Sequence, residues 1–211
     1  MSMAGVLRKL LNVPMPSGFP LSSHSSGSAM ATVPRHEFVP VEIRPYAYAD
    51  QPLPIGWNKT ISQPFIAAVM ADLLEPRPGD SVLEIGTGSG YCAAVLSLLA
   101  REVHTVERIE SLHKTAKKRL KQLGYRNVRC HSGDGTLGLP REAPFDAIVV
   151  AAGTKDLPKA YPEQLAEGGR LLIPIGPPSR QQMVRIMRLG GKLQHEVLGN
   201  FGFVPLVSDA N

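Results

Sequence analysis

Apolar and polar positions divide the chain into two regimes. From Asp80 onward, short apolar runs rich in β-branched residues recur at 81–85, 102–106, 127–130, 147–150 and 170–174, each of strand length. Helical spacings lie between them. Residues 91–99 are apolar nearly all round, as in a helix packed on a sheet. Residues 109–123 place Leu112, Ala116, Leu120 and Leu123 on one face and lysines on the other. A weaker helix is predicted over 157–165, with Pro158 tolerable in its first turn. Strand alternating with helix predicts an α/β fold, a mostly parallel, doubly wound sheet with helices on both faces. The tail differs: 182–188 and 201–207, joined through Gly190 and Gly191, predict an antiparallel C-terminal addition at the sheet edge.

The first regime is looser. Residues 14–18 (Pro-Met-Pro-Ser-Gly) and 22–28 (Ser-Ser-His-Ser-Ser-Gly-Ser) read as linker. No acidic residue precedes Glu37, and Arg8 and Lys9 sit among Leu7, Leu10 and Leu11. A short amphipathic helix followed by a loose tether is expected; an organellar transit peptide is the alternative. The organisation predicted is a variable, linker-like segment over 1–31 and a single domain over 32–211.

Composition bounds the function classes. The 211 residues suit one α/β domain, and 43% apolar with 19% charged residues suits a globular chain rather than a disordered one. No apolar run approaches the roughly 20 residues of a membrane-spanning helix, so no membrane partner is expected. Much of the net charge of +5 sits in Lys114, Lys117, Lys118, Arg119 and Lys121. These read as the solvated face of one helix, with a nucleic-acid patch as the alternative; no nucleic-acid partner is expected. Cys92 and Cys130 form no metal-like spacing and read as small buried residues in a reducing compartment. The histidines form no H-x-x-x-H pair, so no metal is expected.

The candidate chemistry lies at strand ends. Residues 82–91 (Val-Leu-Glu-Ile-Gly-Thr-Gly-Ser-Gly-Tyr) read as a strand, a glycine-rich turn (Gly86, Thr87, Gly88, Ser89, Gly90) and a helix start. Ligands of such sheets bind at the carboxyl ends of the strands, where glycines let the backbone come close. A dinucleotide fingerprint would want a third glycine at Tyr91, which disfavours a nicotinamide oxidoreductase. Glu84, two residues before the first glycine, is instead the acidic residue of a methyltransferase motif. Glu107 ends the next strand, about 20 positions on, where an acid accepts from ribose hydroxyls. Gly133, Asp134 and Gly135 follow the third strand, placing Asp134 to accept from an adenine amino group, though alone it would be an ordinary turn. Glu84, Glu107 and Asp134 on successive strands predict one adenosine-binding crevice.

Further segments carry a resemblance: 33–40 (Val-Pro-Arg-His-Glu-Phe-Val-Pro), 52–56 (Pro-Leu-Pro-Ile-Gly), 60–64 (Thr-Ile-Ser-Gln-Pro), 167–176 (Glu-Gly-Gly-Arg-Leu-Leu-Ile-Pro-Ile-Gly) and 203–206 (Phe-Val-Pro-Leu). With the glycine turn and residues 133–135, they resemble protein-L-isoaspartate (D-aspartate) O-methyltransferases over essentially residues 29–207. The resemblance implies a Rossmann-like class I methyltransferase fold and S-adenosyl-L-methionine as cofactor. It implies isoaspartyl-containing proteins or peptides as partners, and repair of damaged proteins as the role. Ser62 would lie beside methyl donor and substrate carboxylate as the catalytic residue, with Thr60 and Ile61 lining the pocket and Val204 touching the peptide. Ile61 and Arg108 join the turn residues as cofactor contacts. Without the resemblance, Ser62 reads as a helix N-cap before residues 65–70. A cytoplasmic monomer is expected.

Two departures stand out. Lys59, preceded by Asn58, replaces the family's usual glutamine, and the Ser/Pro/Gly-rich start replaces its usual N-terminal helices, which would uncover part of the cofactor pocket. The chemistry itself asks for little machinery. An aspartyl-type carboxylate, with a pKa of about 3.9, is already ionised at neutral pH, so alignment and a dry pocket matter more than a base. Two rivals stay open: a methyltransferase of another small molecule or peptide, and a cofactor-binding module without catalysis.

Overall fold

The structure, a computed structural model, describes residues 24–207. Its centre is a seven-stranded sheet of order β5-β4-β3-β6-β7-β8-β9. The strands are β3 (Ser81–Ile85), β4 (Glu102–Glu107), β5 (Val128–Ser132), β6 (Phe145–Val150), β7 (Leu165–Ile175), β8 (Gln181–Leu189) and β9 (Lys192–Phe201). The pairs from β5 through β7 are parallel, and β8 and β9 add on antiparallel, as the alternation predicts. A separate two-stranded hairpin, β1 (Leu53–Gly56) and β2 (Lys59–Ile61), precedes the sheet.

The helices are α1 (His24–Thr32), α2 (Pro64–Leu74), α3 (Tyr91–Ser97), α4 (Glu110–Gln122) and α5 (Ala160–Glu163). Strand alternation divides the core in two. Val82, Val103, Ala147, Val149 and Leu172 face residues of α1, α2 and α3 together with Leu120 of α4. Leu83, Ile85, Val106, Ile148, Val150, Leu171 and Ile173 face the other way, against Tyr161 of α5 and loop residues such as Leu139 and Leu157. The second face therefore has less helical cover than a symmetric doubly wound sheet.

Four sequence expectations are revised. The linker-like run at 22–28 is helical from His24, and α1 buries Ala29 and Met30 against α2 and α3. Small residues there permit close packing, which a hydropathy pattern does not register. The helix expected at 157–165 shrinks to four residues, with Pro158 and Pro162 bracketing buried Tyr161. Strand β7 begins at Leu165, five residues earlier than expected, because Gly168 at φ 74° and Gly169 form an irregularity inside the strand rather than a turn before it. The return strand of the tail is Lys192–Phe201, a polar edge strand; residues 203–207 leave the sheet and run to the strand ends. The amphipathic helix expected near residues 7–11 lies outside the described residues.

Arg170, from the Glu-Gly-Gly-Arg segment, is a buried tie at the opposite end of the sheet from the strand carboxyl termini. Its Nε donates to Leu74 O at 2.7 Å, its Nη2 donates to Glu75 O, and the same nitrogen pairs with Asp80. These carbonyls end α2, where Glu75 caps the helix in the left-handed region. No helix among the described residues is long and apolar enough to cross a membrane.

Candidate active site

Past Ile85 the chain turns through Gly86, Gly88 and Gly90, at φ 94°, 54° and 89°, conformations that glycine adopts without a Cβ penalty. The turn is stitched to β4: the N–H groups of Gly86 and Thr87 donate to Val106 O at 2.9 and 3.2 Å. The Gly88 N–H donates to Glu107 Oε2 at 2.8 Å and the Ile109 N–H to Oε1 at 3.0 Å. Two main-chain donors thus aim the Glu107 carboxylate, and a carboxylate with about four lone-pair sites keeps acceptor capacity for ligand hydroxyls.

Above the turn lies a crevice open to solvent. Glu107, Arg108 and Ile109 form one wall, and Ile85, Val106 and Gly135 lie beside them. Ala151, Ala152 and residues 204–207 form another wall, with Lys59 and Thr60 at the hairpin. A second compartment continues from it, sharing Thr60, Gly86, Gly88 and Ala151, and is lined by Ile61, Ser62, Met70, Thr87, Ser89, Tyr91 and Cys92. An apolar slot with one aimed carboxylate at the first compartment and a hydroxyl-lined end at the second fits adenosine in one and the methionine portion in the other.

The candidate residues fall into two groups. Glu107, Arg108, Gly135 and Val204 line the first compartment, Ile61, Ser62, Thr87 and Ser89 the second, and Thr60, Gly86 and Gly88 both. Glu84, Gly90, Gly133 and Asp134 line neither. Gly90 caps α3, and the Gly133 N–H donates to Glu107 O at 3.1 Å. Asp134 Oδ1 accepts from the Thr136 N–H and hydroxyl at 2.9 and 2.7 Å, shaping the turn that presents Gly135.

Glu84 is fully buried beneath the turn. Thr105 donates to it at 2.5 Å, and Thr105 in turn lies 2.6 Å from the Thr87 hydroxyl. Burial pushes the Glu84 carboxyl up to about 7, with the Thr105 hydrogen bond opposing. Burial also raises the Cys92 thiol, with Glu84 adding to the shift, so this thiol stays protonated.

The pattern-based reading of Ser62 as an N-cap fails. The cap position is Gln63, with Pro64 at the first helical position, so Ser62 sits one residue outside and is not used for capping. Its backbone is held by Arg35, whose Nη2 donates to Ser62 O at 2.7 Å. The hairpin carrying Thr60 turns through Trp57 and Asn58 at φ 56° and 53°. Such turns favour Asn-Gly, and a bulky residue in the left-handed region is rare, which is why the hairpin escaped the turn signals.

Two site-forming residues were missed. Arg35 lies within residues 33–40, where the sequence pattern gives it no chemical signal. Gln181 carried none at all: its amide holds residue 203, accepting from the Phe203 N–H at 2.6 Å and donating to Phe203 O at 3.2 Å. A Cβ on Gly153 would stand 2.0 Å from the Gln181 amide nitrogen, so only glycine admits this clamp. Gly153 itself donates to Val204 O and accepts from the Leu206 N–H, both at 2.8 Å, fixing the wall opposite the hairpin.

Comparison with known proteins agrees with this architecture. The family described as Protein-L-isoaspartate(D-aspartate) O-methyltransferase (PCMT) matches residues 12–211. A protein-L-isoaspartate O-methyltransferase of Roseiflexus castenholzii is 52% identical over 179 residues, 85% of this chain and 82% of that protein. One from Dictyoglomus thermophilum is 46% identical over 199 residues, 94% of this chain and 90% of that protein. A solved protein-L-isoaspartate O-methyltransferase is 29% identical with a TM-score of 0.83, covering 98% of this chain; this chain spans 65% of that longer one. A Plasmodium falciparum structure in complex with S-adenosyl-L-homocysteine shares the fold, at 24% identity, a TM-score of 0.84, and coverage of 98% and 99%. With a family match across nearly its whole length and relatives near half identical, the chain belongs to the protein-L-isoaspartate(D-aspartate) O-methyltransferase family.

Proposed function

We propose that this chain transfers the methyl group of S-adenosylmethionine to the free carboxylate of L-isoaspartyl residues in damaged proteins or peptides, with Ser62 orienting that carboxylate. The observation that carries the reading is the joined pair of compartments. Glu107 is aimed into one, Ser62 lines the other, and Thr60 belongs to both.

When bound, S-adenosylmethionine supplies an electrophilic methyl on a positively charged sulfur that is its own leaving group. The chain supplies position. Glu107 accepts from the ribose hydroxyls while Gly88 and Ile109 hold it in place. Gly86 and Gly135 let the backbone approach, Arg108 stands at the rim, and Thr87, Ser89 and Ile61 enclose the methionine portion. Gly90, Gly133 and Asp134 act through the turns they shape, and Glu84 through the Thr105 and Thr87 hydroxyls. The Ser62 hydroxyl donates one hydrogen bond to the substrate carboxylate, which directs an oxygen without neutralising it. No base is required, because the acceptor is already ionised at neutral pH. Ala151, Met70 and Tyr91 keep the second compartment poor in water. Thr60 and Val204, which both line the first compartment, are assigned to the peptide.

The methyl ester formed would lose methanol to give a succinimide, whose hydrolysis partly restores aspartate; this step needs no residue of the chain. The reading takes the protein as a cytoplasmic monomer acting on proteins and peptides rather than nucleic acid. The family membership supports action on proteins and peptides, and so does a mostly apolar crevice whose charged lining residues are Lys59, Glu107 and Arg108. The test is incubation with labelled S-adenosylmethionine and paired peptides that differ only in isoaspartate or aspartate at one position. Base-labile label on the isoaspartyl peptide alone is the expected result. Equal labelling of both peptides, or of neither, overturns it.

A further inference from the structure

Arg35 belongs to neither compartment, yet it grips the loop that carries Ser62. Its side chain is fully buried. Nε donates to Ala47 O at 2.7 Å, Nη2 donates to Ser62 O at 2.7 Å, and the guanidinium carbon stands 4.8 Å from the centre of the Tyr91 ring. Three pieces of chain far apart in sequence meet on this one group: the segment reaching Ala47, the junction of β2 and α2, and the first residue of α3 after the glycine turn.

A guanidinium is planar, with its N–H donors in fixed in-plane directions, so two hydrogen bonds from one edge of it constrain the placement of both carbonyls. Burying a cation is costly, and ordinarily a carboxylate at contact offsets the cost. Arg170 follows that rule at the far end of the sheet, with Asp80. Arg35 has no carboxylate at contact among the described residues: its guanidinium donates to main-chain carbonyls and lies over the Tyr91 ring, and the Asp50 charge acts from beyond ion-pair distance. Packing alone would be served as well by an apolar side chain. What only a fork of donors supplies is a fixed angle at the peptide plane of Ser62.

We propose that Arg35 is a positioning residue for methyl transfer: its hydrogen bond to the Ser62 carbonyl sets the direction from which the Ser62 hydroxyl meets the substrate carboxylate. This rests on the role given to Ser62 above. Because Tyr91 lines the second compartment and sits under the guanidinium, Arg35 also keeps that compartment and Ser62 in register.

The test is a double-mutant cycle with Arg35→Lys and Ser62→Ala, read as turnover, peptide KM and S-adenosylhomocysteine affinity. Lysine keeps the charge but cannot bridge both carbonyls. Misplacing a positioning group by about 1 Å costs on the order of 100-fold, so turnover of Arg35→Lys falls by roughly 10- to 100-fold while KM and cofactor affinity stay near wild type. In the Ser62→Ala background the lysine substitution then costs nothing further. An equal loss in both backgrounds overturns the proposal and leaves the role of Ser62 standing. Full turnover in Ser62→Ala alone overturns that role instead. Should Arg35→Lys not fold, the wild-type crystal structure with S-adenosylhomocysteine and an isoaspartyl peptide decides. The Arg35–Ser62 bond kept, with the Ser62 hydroxyl on the carboxylate, supports the proposal; a hydroxyl turned away overturns it.

Discussion

Gln181 holds Phe203 by both sides of its amide, accepting from the Phe203 N–H at 2.6 Å and donating to its carbonyl at 3.2 Å. The first residue of β8 thereby fixes the segment that walls the crevice opposite the hairpin. Gln181→Met keeps the volume and removes both bonds, leaving two main-chain groups without this partner at a cost of up to about 1–3 kcal/mol each. The expected outcome is a lower melting temperature together with a raised peptide KM. A lowered melting temperature with unchanged KM would show that residues 203–207 are held by other contacts.

Glu107 meets two N–H donors, so its charge is satisfied by the backbone and offered to the ligand. In Glu107→Gln one of those donors would face an amide NH₂. Hydrogen bonds to a charged group contribute about 1.5–3 kcal/mol each, so S-adenosylhomocysteine affinity should fall by roughly 10- to 100-fold. Calorimetry checks this. Affinity within error of wild type would remove Glu107 from the binding site.

Lys59 lines the crevice beside Thr60, on a strand that follows a turn with two left-handed residues. A partly exposed cation attracts a carboxylate substrate by about 0.2–1 kcal/mol, an effect that salt screens. Lys59→Gln should raise KM for isoaspartyl peptides about two- to fivefold at low ionic strength, with kcat retained. The gap should close as salt is added. A salt-independent change in KM would point to shape rather than charge.

Glu84 gives a pH signature. Its folded-state value of about 7 lies above its ordinary 4.5, so the fold favours the protonated form. The stability it contributes is complete below 4.5, declines between 4.5 and about 7, and is absent above. Glu84→Gln removes this dependence. Denaturant unfolding at pH 5 and pH 8 should show the variant gaining on the wild type by up to about 3 kcal/mol across that interval. A difference independent of pH would mean that Glu84 is ionised throughout.

The chain itself determined the parallel sheet, because short strands rich in β-branched residues and buried on both faces, joined by helical periods, have few other solutions. It also determined the glycine turn with Glu107 behind it, since only glycines accept that succession of left-handed angles and only a strand-end acid meets the turn. Local pattern could not decide which acids face the ligand. Glu84 and Glu107 look alike in sequence, but strand parity sends Glu84 under the turn and strand termination leaves Glu107 at the crevice. Nor could it reveal α1, whose small residues pack without an apolar stripe, or the Trp57–Asn58 turn, where an exposed tryptophan takes the left-handed region as β1 pairs with β2. The roles of Arg35 and Gln181 belong wholly to the tertiary structure. Each acts on a carbonyl or amide that every residue possesses, so the partner is selected by proximity in space and leaves no mark in the sequence.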